Sequence, residues 1–593
     1  MSTILHRLAA WAETDPKSAA QRYKAGKEWV PISAKEFLDR VYWLALFLES
    51  RGVTSQDVGT IFSFNSPEWV HLDLGTVLLG AKSAGIYPNS VYKDISYILK
   101  HTEAKFFCVQ NKEYYKRSIE GGPLPSHIEF VIAMDGDTSI SPKAISYEKA
   151  VAEGKKLGSQ KGVKSYSQYL QKLDPNAGSF IIYTSGTTGN PKGALISQDN
   201  LIYTIDLVTK HWDLPFKGSL FSFLPLCHIA EKLQNVGAGI SRQYTVNFCS
   251  KFENLGHELP EVEPSLLLCV PRLWEKMMQG VLLRVNGSPI PKKYLAKWAL
   301  DTGAYIADLK YSGRSPSVSE WIKFQAADRL VLSKIRKALG LAKTDACASG
   351  AAALPVHVCR WFRSIGLEIL EDFGQTETTG VICMTEKEVD SAGTVGKPVG
   401  NIEMKIARDG EILTKGRHVF KGYYKDEMNT AQTFENDWLK TGDLGEFDSR
   451  GLLRIKGRKK ELLKTSGGKL VAPLPIEEAL KAAPAIGQVC MVGEGRRFLS
   501  ALITLSETRM AELKTGGKGD FAQITITDPE IVREIKLHVE RLNSQLASFE
   551  QIKKFVVLSR DFSIVDGEMT PTMKMKRDVI EKRYVDVINK MYE

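Results

Sequence analysis

DVGTIFSFNSPEWVHLDLGTVLLGAKSAGIYP, residues 57–88, carries the alternation that decides the fold. DVGTIFSFNS reads as a β-strand leaving into a loop. EWVHLDLGTVLLGAKSAG reads as a helix with an apolar stripe, and IYP begins the next strand. FFCVQ (106–110) and EFVIAM (129–134) add two more strands. From about residue 61 to 185, short β-rich runs thus alternate with helical patterns, which predicts an α/β fold: a largely parallel sheet with helices on both faces. Two stretches interrupt the rhythm. Residues 152–171 (AEGKKLGSQKGVKSYSQYLQ) are polar and lysine-rich and read as a surface excursion. Residues 287–319 mix Pro, Gly, Ser and Lys between helical stretches.

The chain has 593 residues, of which 43% are hydrophobic and 25% charged. That mix excludes wholesale disorder and collagen-like or coiled-coil architecture, and at roughly 100–200 residues per domain the length favours several packed units. Eight cysteines are scattered without a CxxC, several of them in apolar runs, so buried reduced thiols are expected rather than a zinc site or a disulfide framework. The N-terminal apolar stretch is short and Glu13 and Asp15 follow closely, unlike a secretory signal. Later apolar runs fall short of the about 20 residues that span a bilayer, and a cytoplasmic protein is expected. Lys and Arg total 79 against 69 acidic residues. That surplus fits a polyanionic ligand, an anionic membrane surface or simply a solvated basic surface. No nucleic-acid-binding signature is present. Near residues 455–464 the character changes to a short, highly charged segment, IKGRKKELLK, and about 130 residues follow with strands and amphipathic helices of their own. They are enough for a small α+β domain, with the boundary at about residues 457–461.

The strongest chemical signal is FIIYTSGTTGNPKGALIS, residues 180–197. An apolar strand enters a loop of small, hydroxylated and glycine residues, Thr184, Ser185, Gly186, Thr187, Thr188 and Gly189, followed by Lys192. Glycines let backbone approach an anion, hydroxyls and amides donate to phosphate oxygens, and lysine adds charge. It is not a Walker A loop: Pro191 precedes Lys192, and Gly193 after it has no hydroxyl for magnesium.

TSGTTGNPKG closely resembles the phosphate loop of the adenylate-forming superfamily, which includes acyl-CoA synthetases, luciferases and nonribosomal peptide adenylation domains. Further stretches are similar to that family's motifs, in the family's order. FLPLCHIAEK (223–232) resembles its His-containing motif, ASGAAAL (348–354) its adenine-pocket segment, and EDFGQTET (371–378) its YGxTE motif with Phe373 for the tyrosine. KTGDLGEFD (440–448), IKGRKKELLKTSGGKLVAP (455–473) and PTMKMKR (571–577) resemble its TGD motif, hinge and C-terminal lysine motif. The resemblance covers almost the whole chain. It implies a large, multi-subdomain adenylation domain of layered αβ sheets, 1–458, and a small mobile α+β domain, 459–593, pivoting near Lys460.

The same resemblance implies residue roles. ATP would be held by Thr184, Ser185, Gly186, Thr187, Thr188, Gly189 and Lys192, with Gly350, Ala351, Asp372, Phe373, Gly374 and Thr376. Asp443 would accept the ribose hydroxyls, and Arg458 would make a second ribose or phosphate contact. Glu377 and Thr184 would bind Mg²⁺ and, with His228 and Lys574, form the catalytic set. Asp443 reads as lying between the strand WLKT and a turn. Lys574 and Lys576 both stand in the terminal motif, where Met573 replaces the family's glycine; Lys574 is the favoured candidate. Lys464, Gly467 and Gly468 would line the approach of coenzyme A.

FLPLCHIAEK, CVPRLWEKM (269–277) and PTMKMKR look most like the long-chain and very-long-chain fatty acyl-CoA synthetases, including the bubblegum type. The implied substrate is a long-chain fatty acid, activated by ATP to acyl-adenylate and pyrophosphate and passed to coenzyme A. Residues 222–238 and the helix after Pro271 are candidate walls for an acyl tunnel, although apolar side chains there would serve a core equally. The alternatives are a fatty acyl-AMP ligase loading a carrier protein, or a non-catalytic adenylate-fold binding protein. Peripheral contact with a membrane is left open, as is a monomer or homodimer.

Overall fold

Val58–Phe62 is buried at every residue because it has parallel neighbours on both edges, Lys82–Ile86 and Phe106–Val109, and such strands read as continuous apolar runs. The computed structural model describes residues 3–184, 190–515, 524–563, 566–570 and 574–593. Around Val58–Phe62, seven strands lie in the order Ala144–Ser146, Phe130–Ala133, Phe106–Val109, Val58–Phe62, Lys82–Ile86, Gly178–Thr184, Lys192–Ser197. All neighbours are parallel except the last pair. The helix Pro67–Leu78 is capped by Ser66, starts on proline and is buried almost all round. It lies between this sheet and the second one, which is why its stripe widens to its whole surface.

The second sheet has nine strands. Its central run, Ile369–Phe373, Ala346–Ser349, Leu266–Cys269, Gly218–Ser222, Tyr244–Phe248 and Ala19–Ala25, is parallel. A five-stranded antiparallel sheet follows, containing Trp438–Phe447 and Leu453–Arg458. The small C-terminal unit packs helices against the sheet Ile486–Val492, Leu499–Leu505, Ile552–Leu558, Thr525–Ile526, an α+β arrangement. The described residues thus form an α/β body with a smaller α+β unit. All eight cysteines are free and buried. Among the described residues no helix is long and apolar enough to cross a membrane.

Three local readings are corrected. The strand Lys82–Ile86 starts ahead of IYP, because Gly80 at φ +77° ends the helix in a left-handed turn. Residues 152–171 are a surface excursion only from 159 on, where 159–165 run largely exposed without a helix or strand; 152–158 belong to a packed helix. Helix Tyr147–Gly158 lies so close to helix Ala34–Ser50 that a Cβ on Gly154 would sit 1.9 Å from the Trp43 carbonyl oxygen. Its lysines mask the contact: Lys155 places its ammonium over the Trp43 ring instead of breaking the packing. Residues 287–319 are largely one 22-residue helix, Ile290–Tyr311, with Pro289 and Pro291 at its start.

Candidate active site

Ligands of α/β sheets bind beyond the carboxyl ends of the strands, and the motif stretches starting at residues 184, 223, 350 and 374 stand at or follow such ends. Gly178–Thr184 and Lys192–Ser197 form a hairpin in which Thr184 pairs with Lys192. The Thr184 hydroxyl donates to the Lys192 carbonyl at 3.4 Å, leaving its lone pairs for a cation. Ser185, Gly186, Thr187, Thr188 and Gly189 lie outside the described residues. The Lys192 ammonium donates to Asn429 Oδ1 at 2.5 Å and stands 5.1 Å from the Tyr423 ring centre. The Tyr423 hydroxyl in turn donates to Glu377 Oε1 at 2.6 Å. The backbone of 420–424 binds both sides: Phe420 N–H donates to the Glu377 carbonyl, and Tyr424 N–H to the Gly193 carbonyl. Tyr423 therefore couples the phosphate-loop lysine to the candidate metal carboxylate, a role no motif announced.

Glu377 sits in a buried 3-10 turn, Thr376–Thr378, immediately after Ile369–Phe373. Gly374 enters this turn against backbone: a Cβ there would lie 2.3 Å from the Gly380 carbonyl oxygen. On the neighbouring strand end, a Cβ on Gly350 would lie 2.7 Å from both carboxyl oxygens of Asp372, and Ala351 takes φ +71°. Burial pushes the carboxyls of Asp372 up to about 7 and Glu371 to about 8. Neither is a fixed full negative charge at neutral pH, which suits a site for a polyanion.

Asp443 and Arg458 are register partners across an antiparallel ladder, with Arg458 Nε 3.1 Å from Asp443 Oδ1. Asp443 lies within the strand Trp438–Phe447, not between a strand and a turn. Gly442 at φ +72° and a bulge beside Leu444 bend the strand there without ending it. Lys574 comes to this pair from the far end of the chain. Burial and the positive charge of Arg458 lower its ammonium to about 8, against the opposing carboxylates of Asp443, Glu461 and Glu377. Burial, with the Lys574 charge, also lowers His228 to about 4, so its imidazole is neutral. His228 caps the short helix Ile229–Glu231, its Nδ1 accepting from Ala230 N–H at 3.2 Å. Lys576 precedes helix Arg577–Arg583 and gives its N–H to the Glu568 carbonyl.

Lys464, Gly467 and Gly468 form a hairpin on the small unit's own surface. Lys464 N–H donates to Glu494, Ser466 N–H to the Arg496 carbonyl, and Gly468 makes the turn at φ +77°. At the expected pivot, Lys459 is held by Asp409 at 2.6 Å and Glu411 at 2.8 Å. The expected acyl wall, 222–238, holds buried polar groups as well as apolar ones. Lys232 pairs with Asp73 at 2.6 Å between the rings of Trp69 and Phe180. Glu231, pushed up to about 8 by burial, accepts from Ser222. Glu377 is a buried carboxylate, one oxygen of which accepts from Tyr423. Among the described residues no group of three His, Cys, Asp or Glu side chains could hold a metal. A lone carboxylate beside bound phosphates is the usual magnesium arrangement.

Two family models cover these elements: AMP-binding enzyme matches residues 8–424, and AMP-binding enzyme C-terminal domain matches 460–593. The chain belongs to the AMP-binding enzyme family. Within it, the chain is similar to the long-chain-fatty-acid–CoA ligase FadD15 of Mycobacterium bovis, at 34% identity over 574 residues, 95% of this chain and 92% of the relative. It is also similar to the long-chain-fatty-acid–CoA ligase ACSBG2 of Rattus norvegicus, at 31% identity over 96% of this chain and 90% of that one. The fold matches the adenylation domain of a carboxylate reductase from Mycobacterium chelonae, with TM-score 0.77 and 19% identity, covering 100% and 91% of the two chains.

Proposed function

We propose that this chain is an AMP-forming long-chain fatty acid–CoA ligase, with domains 1–458 and 459–593. The observation that carries the chemistry is that buried Lys574 lies within electrostatic reach of Asp443, Arg458, Glu377 and His228. The first half-reaction brings a carboxylate to the α-phosphorus of ATP, two anions that repel. Lys574, inserted among these groups, offsets that repulsion and stabilises the charge of the transition state. Lys192 and Arg458 hold phosphate and ribose, Asp443 takes the ribose hydroxyls, and neutral His228 lies beside the carboxylate without adding charge. Mg²⁺, held by Glu377 with Thr184 nearby, would neutralise phosphate charge and orient pyrophosphate as leaving group. The small domain then turns on residues 459–461, bringing the 464–469 hairpin to the adenylate. Gly467 and Gly468 would let pantetheine pass close to backbone, and its thiol displaces AMP.

The printed activities of the relatives, both long-chain-fatty-acid–CoA ligases, support this reading. Unpaired cysteines suit a reduced, cytoplasmic setting, and a substrate that partitions into lipid favours encounter at a bilayer surface. The test is product analysis with fatty acids from short to very long, with and without coenzyme A. AMP, pyrophosphate and acyl-CoA are expected, with long chains preferred. ADP as product, or acyl-adenylate that free coenzyme A never consumes, overturns it.

A further inference from the structure

The helices Ile290–Tyr311 and Val318–Ala327 lie apart from the site just described, and their outer face is unusual. Among the described residues, nine of the twenty-two exposed large apolar side chains fall between residues 290 and 330. They include Tyr294 at 71% exposure, Trp298 at 38%, Trp321 at 49% and Ile322 at 62%. The cause is the packing of the first helix. Ala296, Ala299 and Gly303 turn inward, and Gly303 approaches so closely that a Cβ would lie 1.9 Å from the Ser364 carbonyl oxygen. Tyr294, Trp298 and Tyr305 then necessarily point outward and, with Glu320 and Lys323 of the second helix, line an open groove of about 600 Å³. The same region is basic. Residues 290–337 hold ten Lys and Arg against four Asp and Glu, six of the chain's ten surplus positive charges.

We infer that this face docks on an anionic lipid bilayer. Contiguous exposed apolar surface marks an interaction site. Tyr and Trp, apolar in body and polar at the tip, suit the headgroup boundary, while the exposed Lys292, Lys293 and Lys297 beside them complement anionic headgroups. Charge decides between a bilayer and a second copy of the chain. In a symmetric dimer the same basic patch would face itself and repel, whereas an anionic surface attracts it. The inference deepens the proposed function, since docking would place the enzyme where long-chain fatty acids reside, but its test does not depend on catalysis.

That test is co-sedimentation of the full chain with vesicles of equal phosphatidylglycerol and phosphatidylcholine, and with phosphatidylcholine alone. Binding to the mixed vesicles is expected, about tenfold weaker without the anionic lipid and weakened by salt. Lys292→Glu with Lys293→Glu, and separately Trp298→Ser with Trp321→Ser, should each lower binding about tenfold. Both variants should still release pyrophosphate at the normal rate with a fatty acid short enough to dissolve, which establishes folding. The exposed lysine pair keeps the test decisive if the tryptophan variant misfolds. Failure of the wild type to sediment with mixed vesicles, or retention of full binding by the lysine variant, overturns the inference. So does a wild-type dimer that either variant converts to monomer, because the face would then be an interface between copies.

Discussion

Lys574 is held near 8 by burial and by Arg458, well below an ordinary lysine. In the proposed reaction its charged form would offset two approaching anions. kcat/KM for adenylate formation, which reports the free enzyme, should therefore fall as pH rises through about 8. Bound triphosphate favours the ammonium, so kcat should persist to higher pH. Lys574→Arg should remove the alkaline limb of kcat/KM. Lys574→Ala should slow pyrophosphate release by roughly 100-fold or more, while thioester formation from supplied acyl-adenylate stays mostly intact. Joint loss of both half-reactions would reassign the residue. Tyr423 makes a second case. Tyr423→Phe keeps the ring under Lys192 but removes the 2.6 Å hydrogen bond to Glu377. The expected result is a several-fold rise in the magnesium concentration needed for half-maximal pyrophosphate release, about the value of one hydrogen bond to a charged group. Unfolding temperature should change little. A variant with unchanged magnesium dependence would show that Tyr423 does not orient the carboxylate.

At the scale of elements, Gly374 and Gly442 separate two reasons for glycine. A Cβ on Gly374 meets backbone of Gly380 and Val381 within 2.6 Å, and neither can move without disturbing the turn that carries Glu377. Gly374→Ala should cost about 1–3 kcal/mol by overpacking and depress adenylation with it. Gly442 faces open space, and only its φ of +72° objects to a side chain. Gly442→Ala should cost about 1–2 kcal/mol and bear on Asp443 alone. Thermal denaturation with magnesium and ATP titrations distinguishes the two. The same contrast explains what the sequence could tell. Parallel strands were legible because apolar runs and turn residues alternate next to one another along the chain. Asp443 and Arg458 each stand in a quoted motif, but their pairing depends on ladder register, and Tyr423 depends on a partner 46 residues away, so neither contact leaves a local pattern. Helices 147–158 and 290–311 were obscured by their own lysines, which cover packed or outward-facing apolar surface without interrupting helix geometry.

At the scale of the whole molecule, the site exists only while the small domain holds its present posture, since Lys574 comes from that domain and His228, Glu377 and Asp443 from the large one. Helix Pro271–Asn286 contributes the ionic grip on that posture. Arg272 pairs with Asp561 and Glu275, Glu275 faces Lys481 at 3.7 Å, and Lys276 pairs with Glu507 at 2.9 Å. These pairs are unequal. Lys276 and Glu507 are about half exposed, and such a pair adds little in water. Arg272 is only 11% exposed, and its loss would leave the buried Glu275 with less compensation. In this posture the 464–469 hairpin contacts its own domain, so the proposed thioester step would call for a different one. Arg272→Ala should therefore shift the balance away from the adenylating posture by about 1–2 kcal/mol, or roughly 5–30-fold in population. Single-turnover pyrophosphate release should slow by several-fold, while coenzyme A consumption of supplied acyl-adenylate should be unchanged or faster. Lys276→Ala should leave both rates near normal. Equal slowing of both half-reactions by Arg272→Ala would mean that the arginine supports its helix and does not select between postures.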